Sequence, residues 1–314
     1  MTGDHDKSLR LLERARGQGA ISTAVIYPCS IESLKGALEA ADAGIITPVL
    51  VGPRIDIERI ARQSGLDLSC VPIEDVAHPL EATYRAAALV HEGRVQVLMK
   101  GSLHTDELMK AAASRKAGLL TPRRVSHVFV MDVPTHGRLL FVADAAINVA
   151  PKLRVKRDIT QNAIDCAHAT GIETPKVAVL SAIETVNEAI PSTVDAAALR
   201  DMAQRGEIVG AIVDGPLAFD NAISADAARL KGLETPVAGA VDVLIVPGIE
   251  AGNILYKSLV YLNNAVAAGV VMGMRAPIVL TSRADSSASR VASAGVACLL
   301  VQHRLASAAA GTAR

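Results

Sequence analysis

The chain contains no tryptophan, only three phenylalanines and only four tyrosines in 314 residues. Single-stranded nucleic acid is held by aromatic stacking platforms along a basic groove, and few are available here. Thirty-two basic side chains are balanced by 32 acidic ones. No positive surplus therefore marks a duplex-binding face. Cysteine is scarce as well. Cys29, Cys70, Cys166 and Cys298 are widely separated, with no Cys-x-x-Cys pair and no histidine at zinc spacing. They read as the reduced thiols of a cytoplasmic protein, and no metal site is expected.

Long apolar runs are missing too. The longest, Ala265 to Met274, is broken by Gly269 and Gly273 and falls well short of the ~20 residues that span a bilayer. The polar start, Met1 to Lys7, has no apolar signal core. No Gly-x-Gly-x-x-Gly follows the first predicted strand, and no Gly-x-x-x-x-Gly-Lys-Ser/Thr loop occurs. Their absence argues against Rossmann-type NAD use and P-loop ATP use.

Half the residues are apolar, mostly alanine, valine, leucine and isoleucine. Cores must be built from many small and branched side chains. The length suits roughly two domains of ~150 residues. Strands are predicted at Ser22–Tyr27, Thr47–Val51, Val95–Met99, Val125–Val130, Leu139–Ala143, Lys176–Leu180, Ile208–Val213, Val241–Val246 and Ile278–Thr281. Helices are predicted between many of them, including one capped by Ser30 and one opened by a capping box at Ser192–Asp195. A further helix is expected over Asn253–Ala267, and the tail from Leu305 is expected to fray. Strands alternating with helices in this way indicate parallel βαβ units. Asn148 to Lys152 reads as a domain crossing.

Several strand ends carry polar clusters, where open α/β sheets bind ligands. After Leu280 comes Thr281-Ser282-Arg283-Ala284-Asp285-Ser286. It offers a hydroxyl, a guanidinium fork suited to phosphate, and a carboxylate. The same turn suits a helix N-cap at Asp285 or Ser286. Lys100, Gly101, Ser102, His104 and Thr105 form a second edge, where glycine lets the backbone approach a ligand. Asp214-Gly215-Pro216 ends a third strand, as a ligand contact or an ordinary turn. Asp144 and Asn148 sit at the crossing, facing a cleft or completing a hinge network. Asn253, Tyr256 and Lys257 lie on a helix, where Asn253 also suits a cap and Lys257 a solvated charge.

These segments, taken in order, resemble the phosphate acetyltransferase/phosphate butyryltransferase family from about Val25 to Val301. The resemblance is carried by Leu98-Met99-Lys100-Gly101, Ser126-His127-Val128, Leu140–Asp144, Pro191–Ala197, Val213–Ala218, Gly252–Lys257 and Leu280–Ser286. The Thr-Ser-Arg-Ala-Asp-Ser spelling is similar to the butyryltransferase-like branch. The resemblance implies reversible transfer of a short acyl group, acetyl to butyryl, between coenzyme A and inorganic phosphate. It also implies two α/β/α domains around a cleft, isocitrate/isopropylmalate dehydrogenase-like, spanning 1–146 plus 277–314 and 147–276. The expected assembly is a homodimer or larger homo-oligomer, with coenzyme A as substrate and no cofactor. No nucleic-acid or membrane partner is expected.

By the same resemblance, Ser282 and Arg283 match a catalytic Ser-Arg pair. Lys110 stands at a phosphate-binding position where relatives often carry arginine. The acetyltransferases place an Asp seven residues after the Ser, and this chain has Ser289 there. Either Asp285 takes over as base or the thiol is deprotonated otherwise. Two rivals remain on the sequence alone. One is an NAD- and metal-dependent hydroxy-acid dehydrogenase on the same fold, for which Asp214, Asp220 and Glu250 are too dispersed. The other is a non-catalytic acyl-CoA or phosphate-binding protein.

Overall fold

A computed structural model describes residues 5–281 and 285–312. In chain order the elements begin α1 (Asp6–Gly17), β1 (Ile21–Ile26), α2 (Ile31–Asp42), β2 (Ile46–Gly52), α3 (Arg54–Ser64), β3 (Ile73–Asp75), α4 (Pro79–His91), β4 (Val97–Lys100) and α5 (Thr105–Ala112). Next come β5 (Ser126–Asp132), β6 (Leu140–Ala143), α6 (Leu153–Ala169), β7 (Lys176–Leu180), α7 (Pro191–Gln204), β8 (Ile212–Leu217), α8 (Phe219–Ile223) and α9 (Ala225–Leu230). The last are β9 (Val243–Ile245), α10 (Ile249–Asn263), β10 (Val266–Met272), β11 (Ile278–Val279) and α11 (Ser287–Thr312). The fold is mixed α/β.

The chain divides into two compact units. One comprises Ser8–Arg123 and Ala268–Arg314; the other comprises Met1–Lys7 and Arg124–Ala267. We call them the terminal and middle units. Their boundaries differ from the 146/147 and 276/277 divisions read from sequence. The polar Asp144–Asn148 segment is an internal turn of the middle unit, as its hydrogen bonds show below.

In the terminal unit the strand order is β3-β2-β1-β4-β11-β10. All neighbours are parallel except β10 against β11. Central β1 and β4 are almost entirely buried, which is why they read as unbroken apolar runs rather than alternating ones. Their register pairs Ile26 with Lys100, and β4 pairs Met99 with Val279 of β11. Three parallel strands thus present their carboxyl ends side by side.

α11 contains a stretch, Ser287–Ala309, long and apolar enough by length and composition to cross a membrane. The sequence reading had found no such stretch. Within the terminal unit it serves as a core helix. Ser293 Oγ accepts from the Gly269 N–H at 2.9 Å, Gly295 lies against Leu11 and Leu12, and Cys298 is fully buried. The tail expected to fray is helical to Thr312.

The middle unit has strand order β5-β6-β9-β7-β8, with only β5 and β6 antiparallel. Phe129, Val142, Leu244, Tyr256 and Leu259 anchor its core. β8 runs through Asp214-Gly215-Pro216 instead of ending there. As an edge strand it loses no ladder bond to proline. An irregularity between Ala178 and Leu180 accommodates its extra residue. At Gly215 a Cβ would meet the Val179 carbonyl at 2.8 Å, so the glycine is needed for strand packing.

Two other expectations change. α7 starts at Pro191 with Ile190 as N-cap and no side-chain cap, so the Ser192–Asp195 capping box is not formed. Instead Asp195 accepts from Lys156 Nζ at 2.8 Å, and Ser192 Oγ meets Ser181 Oγ at 2.7 Å. α10 starts at Ile249 and stops at Asn264, which takes a left-handed φ of 51°. The predicted Asn253–Ala267 helix is therefore displaced, and β10 follows where the helix was expected to continue.

Candidate active site

The carboxyl ends of β1, β4 and β11 meet the start of α2. Beyond β4, Gly101 N–H donates to the Ile26 carbonyl at 2.9 Å and Ser102 N–H to the Tyr27 carbonyl at 2.8 Å. A Cβ on Gly101 would lie 2.4 Å from the Ile26 oxygen and 2.5 Å from the Tyr27 oxygen. The glycine thus permits approach to protein backbone, a reason for it beyond the ligand approach expected from sequence. Ser102 Oγ lies 3.0 Å from Ser33 Oγ. Ser30 caps α2 by accepting from the Ser33 N–H at 3.3 Å, and Ser33 Oγ lies 3.3 Å from the Ser30 N–H.

These residues border a cavity of about 350 Å³. Lys100, Gly101 and Ser102 line it from β4, Ser30, Glu32 and Ser33 from α2, and Thr281 and Arg290 from either side of the β11–α11 turn. Lys100 and Arg290 are each only 6% exposed. Hydroxyls and the opening N–H groups of α2 add donors suited to an anion. Ser282 and Arg283 lie outside the described residues, which stop at Thr281 and resume at Asp285.

Asp285 is half-buried, and its carbonyl accepts from Arg290 Nη2 at 3.4 Å. Ser286 is the cap: its Oγ accepts from the Ser289 N–H at 3.1 Å. Position 289, where an Asp was sought, therefore holds a buried serine engaged in the start of α11. Arg290, Ser30, Ser33 and Thr281 were not among the site residues read from sequence. Arg290 carried a usable signal, being the lone charge between Ser287 and Val301. A charge kept on an otherwise apolar helix needs a polar destination.

Other candidates lie elsewhere. Lys110 lines a second cavity of about 450 Å³ between α4 and α5, with His78, Leu80, Tyr84, Leu103 and Glu107. His104 is exposed at the start of α5, where its N–H donates to Glu107 at 3.3 Å; Thr105 is the first helical residue. Tyr256 is a core residue stacked on Phe129 with centroids 4.0 Å apart, and Lys257 is exposed. Asn253 Nδ2 donates to the Ala145 carbonyl at 3.3 Å. Asp214 Oδ1 accepts from the Gly215 N–H at 2.7 Å.

Asp144 is 2% exposed. Its carboxylate accepts from the N–H groups of Ala146, Ile147 and Asn148 and from Asn148 Nδ2, the last at 2.6 Å. Asn148 Nδ2 also donates to the Val125 carbonyl at 2.9 Å. Such a network fixes a turn. Asp144→Ala is expected to lose about 3 kcal/mol or more of stability, because several buried donors lose their acceptor. Urea denaturation measures it; an unchanged midpoint with lost turnover would place Asp144 at the substrate instead.

A family model described as phosphate acetyl/butaryl transferase matches residues 73–298. The chain belongs to this family. The phosphate acetyltransferase of Rhizobium meliloti is 55% identical over 295 residues, covering 94% of this chain and 93% of that protein. The phosphate butyryltransferase of Clostridium beijerinckii is 41% identical over 301 residues, covering 96% and 98%. The crystal structure of a branched-chain phosphotransacylase from Enterococcus faecalis V583 matches with a TM-score of 0.78 and 30% identity, covering 90% of this chain and 99% of that one. The protein is accordingly an acyltransferase of the phosphate acetyl/butyryl transferase family, whose reaction is reversible acyl transfer between coenzyme A and phosphate.

Proposed function

We propose that the phosphate of this reaction occupies the Lys100–Thr281 cavity. The supporting observation is the convergence of β4 and β11, which sets the Lys100-Gly101-Ser102 edge beside the strand end leading to Ser282. The acyl carbonyl then lies next to that phosphate. The coenzyme A sulfur attacks that carbon in a ternary complex, forming the carbon–sulfur bond. The carbon–oxygen bond to phosphate breaks, and phosphate leaves with the electron pair. Ser282 stabilises the oxyanion and Arg283 the departing phosphate, as the family resemblance implies. A thiol of pKa about 8.5 needs its proton removed, and Asp285 is the candidate base.

Direct transfer also agrees with the state of Cys29, next to the Ser30 cap. Burial first, then Asp56, pushes its thiol up to about 11. At neutral pH it is protonated and a poor nucleophile, which disfavours an acyl-cysteine intermediate there. Coenzyme A enters as a substrate and the scheme requires no prosthetic group. The isocitrate/isopropylmalate dehydrogenase-like fold class, a cytoplasmic location and a homo-oligomeric state belong to the same proposal.

The test is an acyl-CoA series from acetyl to hexanoyl with inorganic phosphate, following free thiol. The expected result is release that requires phosphate and favours the acetyl-to-butyryl range. Thiol release independent of phosphate would identify a thioesterase and overturn the reading.

A further inference from the structure

We infer that Arg290 is a phosphate-binding residue of the Lys100 cavity, and that Gly36 is the position that lets it reach there. The inference rests on the proposed reading of that cavity. Arg290 lies in the first turns of α11, a helix whose other early residues are small or apolar. Its side chain crosses α2 at Gly36, where a Cβ would lie 2.6 Å from Arg290 Cδ. Any other residue at 36 would push the guanidinium off this course. Beyond that crossing, Arg290 lines the same cavity as Lys100, Ser102 and Thr281.

Its placement suits phosphate in two ways. Nη2 donates to the Asp285 carbonyl at 3.4 Å, which ties the fork to the first described residue after Thr281. The planar guanidinium can present parallel N–H groups to two phosphate oxygens, whereas Lys100 supplies a point charge. Glu32 borders the same cavity as Lys100 and Arg290, so the planar geometry of the fork, rather than bare charge, favours phosphate oxygens there. Coenzyme A carries phosphate groups of its own, and varying phosphate and acyl-CoA in turn separates the two partners.

Three variants test this: Arg290→Gln, Arg290→Lys and Gly36→Ala. Alanine suits a helix interior better than glycine, so Gly36→Ala carries no propensity penalty. Steady-state kinetics are measured with phosphate and acyl-CoA varied in turn, alongside direct titration of inorganic phosphate into each protein. For Arg290→Gln the KM for phosphate is expected to rise roughly 10- to 100-fold, with the KM for acyl-CoA unchanged. Arg290→Lys should recover part of that loss, and Gly36→Ala should raise the phosphate KM several-fold.

The double variant Gly36→Ala/Arg290→Gln should be no worse than Arg290→Gln alone, since both act on one group. Additive losses would overturn the link between the two positions. A lowered unfolding midpoint with an unchanged phosphate KM would make Arg290 a helix-to-helix tie and overturn its binding role. Phosphate titrating normally into Arg290→Gln would do the same. Failure of the cavity reading itself is distinguishable: Lys100→Met would then leave phosphate titration unchanged too, whereas failure at Arg290 alone would spare only the Arg290 and Gly36 variants.

Discussion

Replacing Lys100 with methionine should lower kcat/KM for inorganic phosphate by about 100-fold, because a charge-assisted bond to the anion is removed from a site largely shielded from water. Lys100 ends β4 with only 6% of its surface exposed, and it lines the cavity that Thr281 also borders. Methionine retains most of the volume and apolar length, so the urea midpoint should move little or rise. Steady-state kinetics with phosphate varied would read the loss directly. Lys100→Arg should recover only a fraction, since a fork does not fit where a point charge stood. Wild-type kinetics in the methionine variant would remove Lys100 from the chemistry.

The second large effect is at Gly101. A Cβ there would meet two backbone oxygens, of Ile26 and Tyr27, well inside contact distance. Backbone cannot yield as a flexible side chain can. Gly101→Ala should therefore cost roughly 3 kcal/mol of stability, in the upper part of the range for overpacking. It should also displace Lys100 and Ser102, so activity falls with the urea midpoint. A variant that keeps its midpoint and loses activity alone would mean that the space beside Gly101 belongs to a ligand.

The parts of this fold that were legible are those where burial and capping act locally. β1 and β4 are buried on both faces and read as apolar runs, while Ser30 stands where the α2 cap requires it. β8 was misread because Asp-Gly-Pro is ordinarily a turn. Only its place at the edge of its strand order makes proline harmless there. β10 was absorbed into a helix because its run of alanine, valine and glycine has no distinguishing period; Asn263-Asn264 was the stop signal.

The site was legible in a similar, partial way. The Lys100–Ser102 edge and the strand before Thr281 were readable as polar punctuation after apolar strands. Their convergence was not, because it depends on β11 pairing with β4 across some 180 residues of sequence. Tyr256 shows the opposite error. A tyrosine in a family motif suggested a ligand contact, yet its ring is packed on Phe129 inside the core. Asp144 likewise has its carboxylate committed to a turn.

The most direct test of the central claim is a crystal structure of the protein soaked in inorganic phosphate. The account predicts a phosphate within hydrogen-bonding distance of Lys100 Nζ and the Arg290 guanidinium, beside Ser102 and Thr281. Phosphate bound at another site, with this cavity left to water, would contradict it.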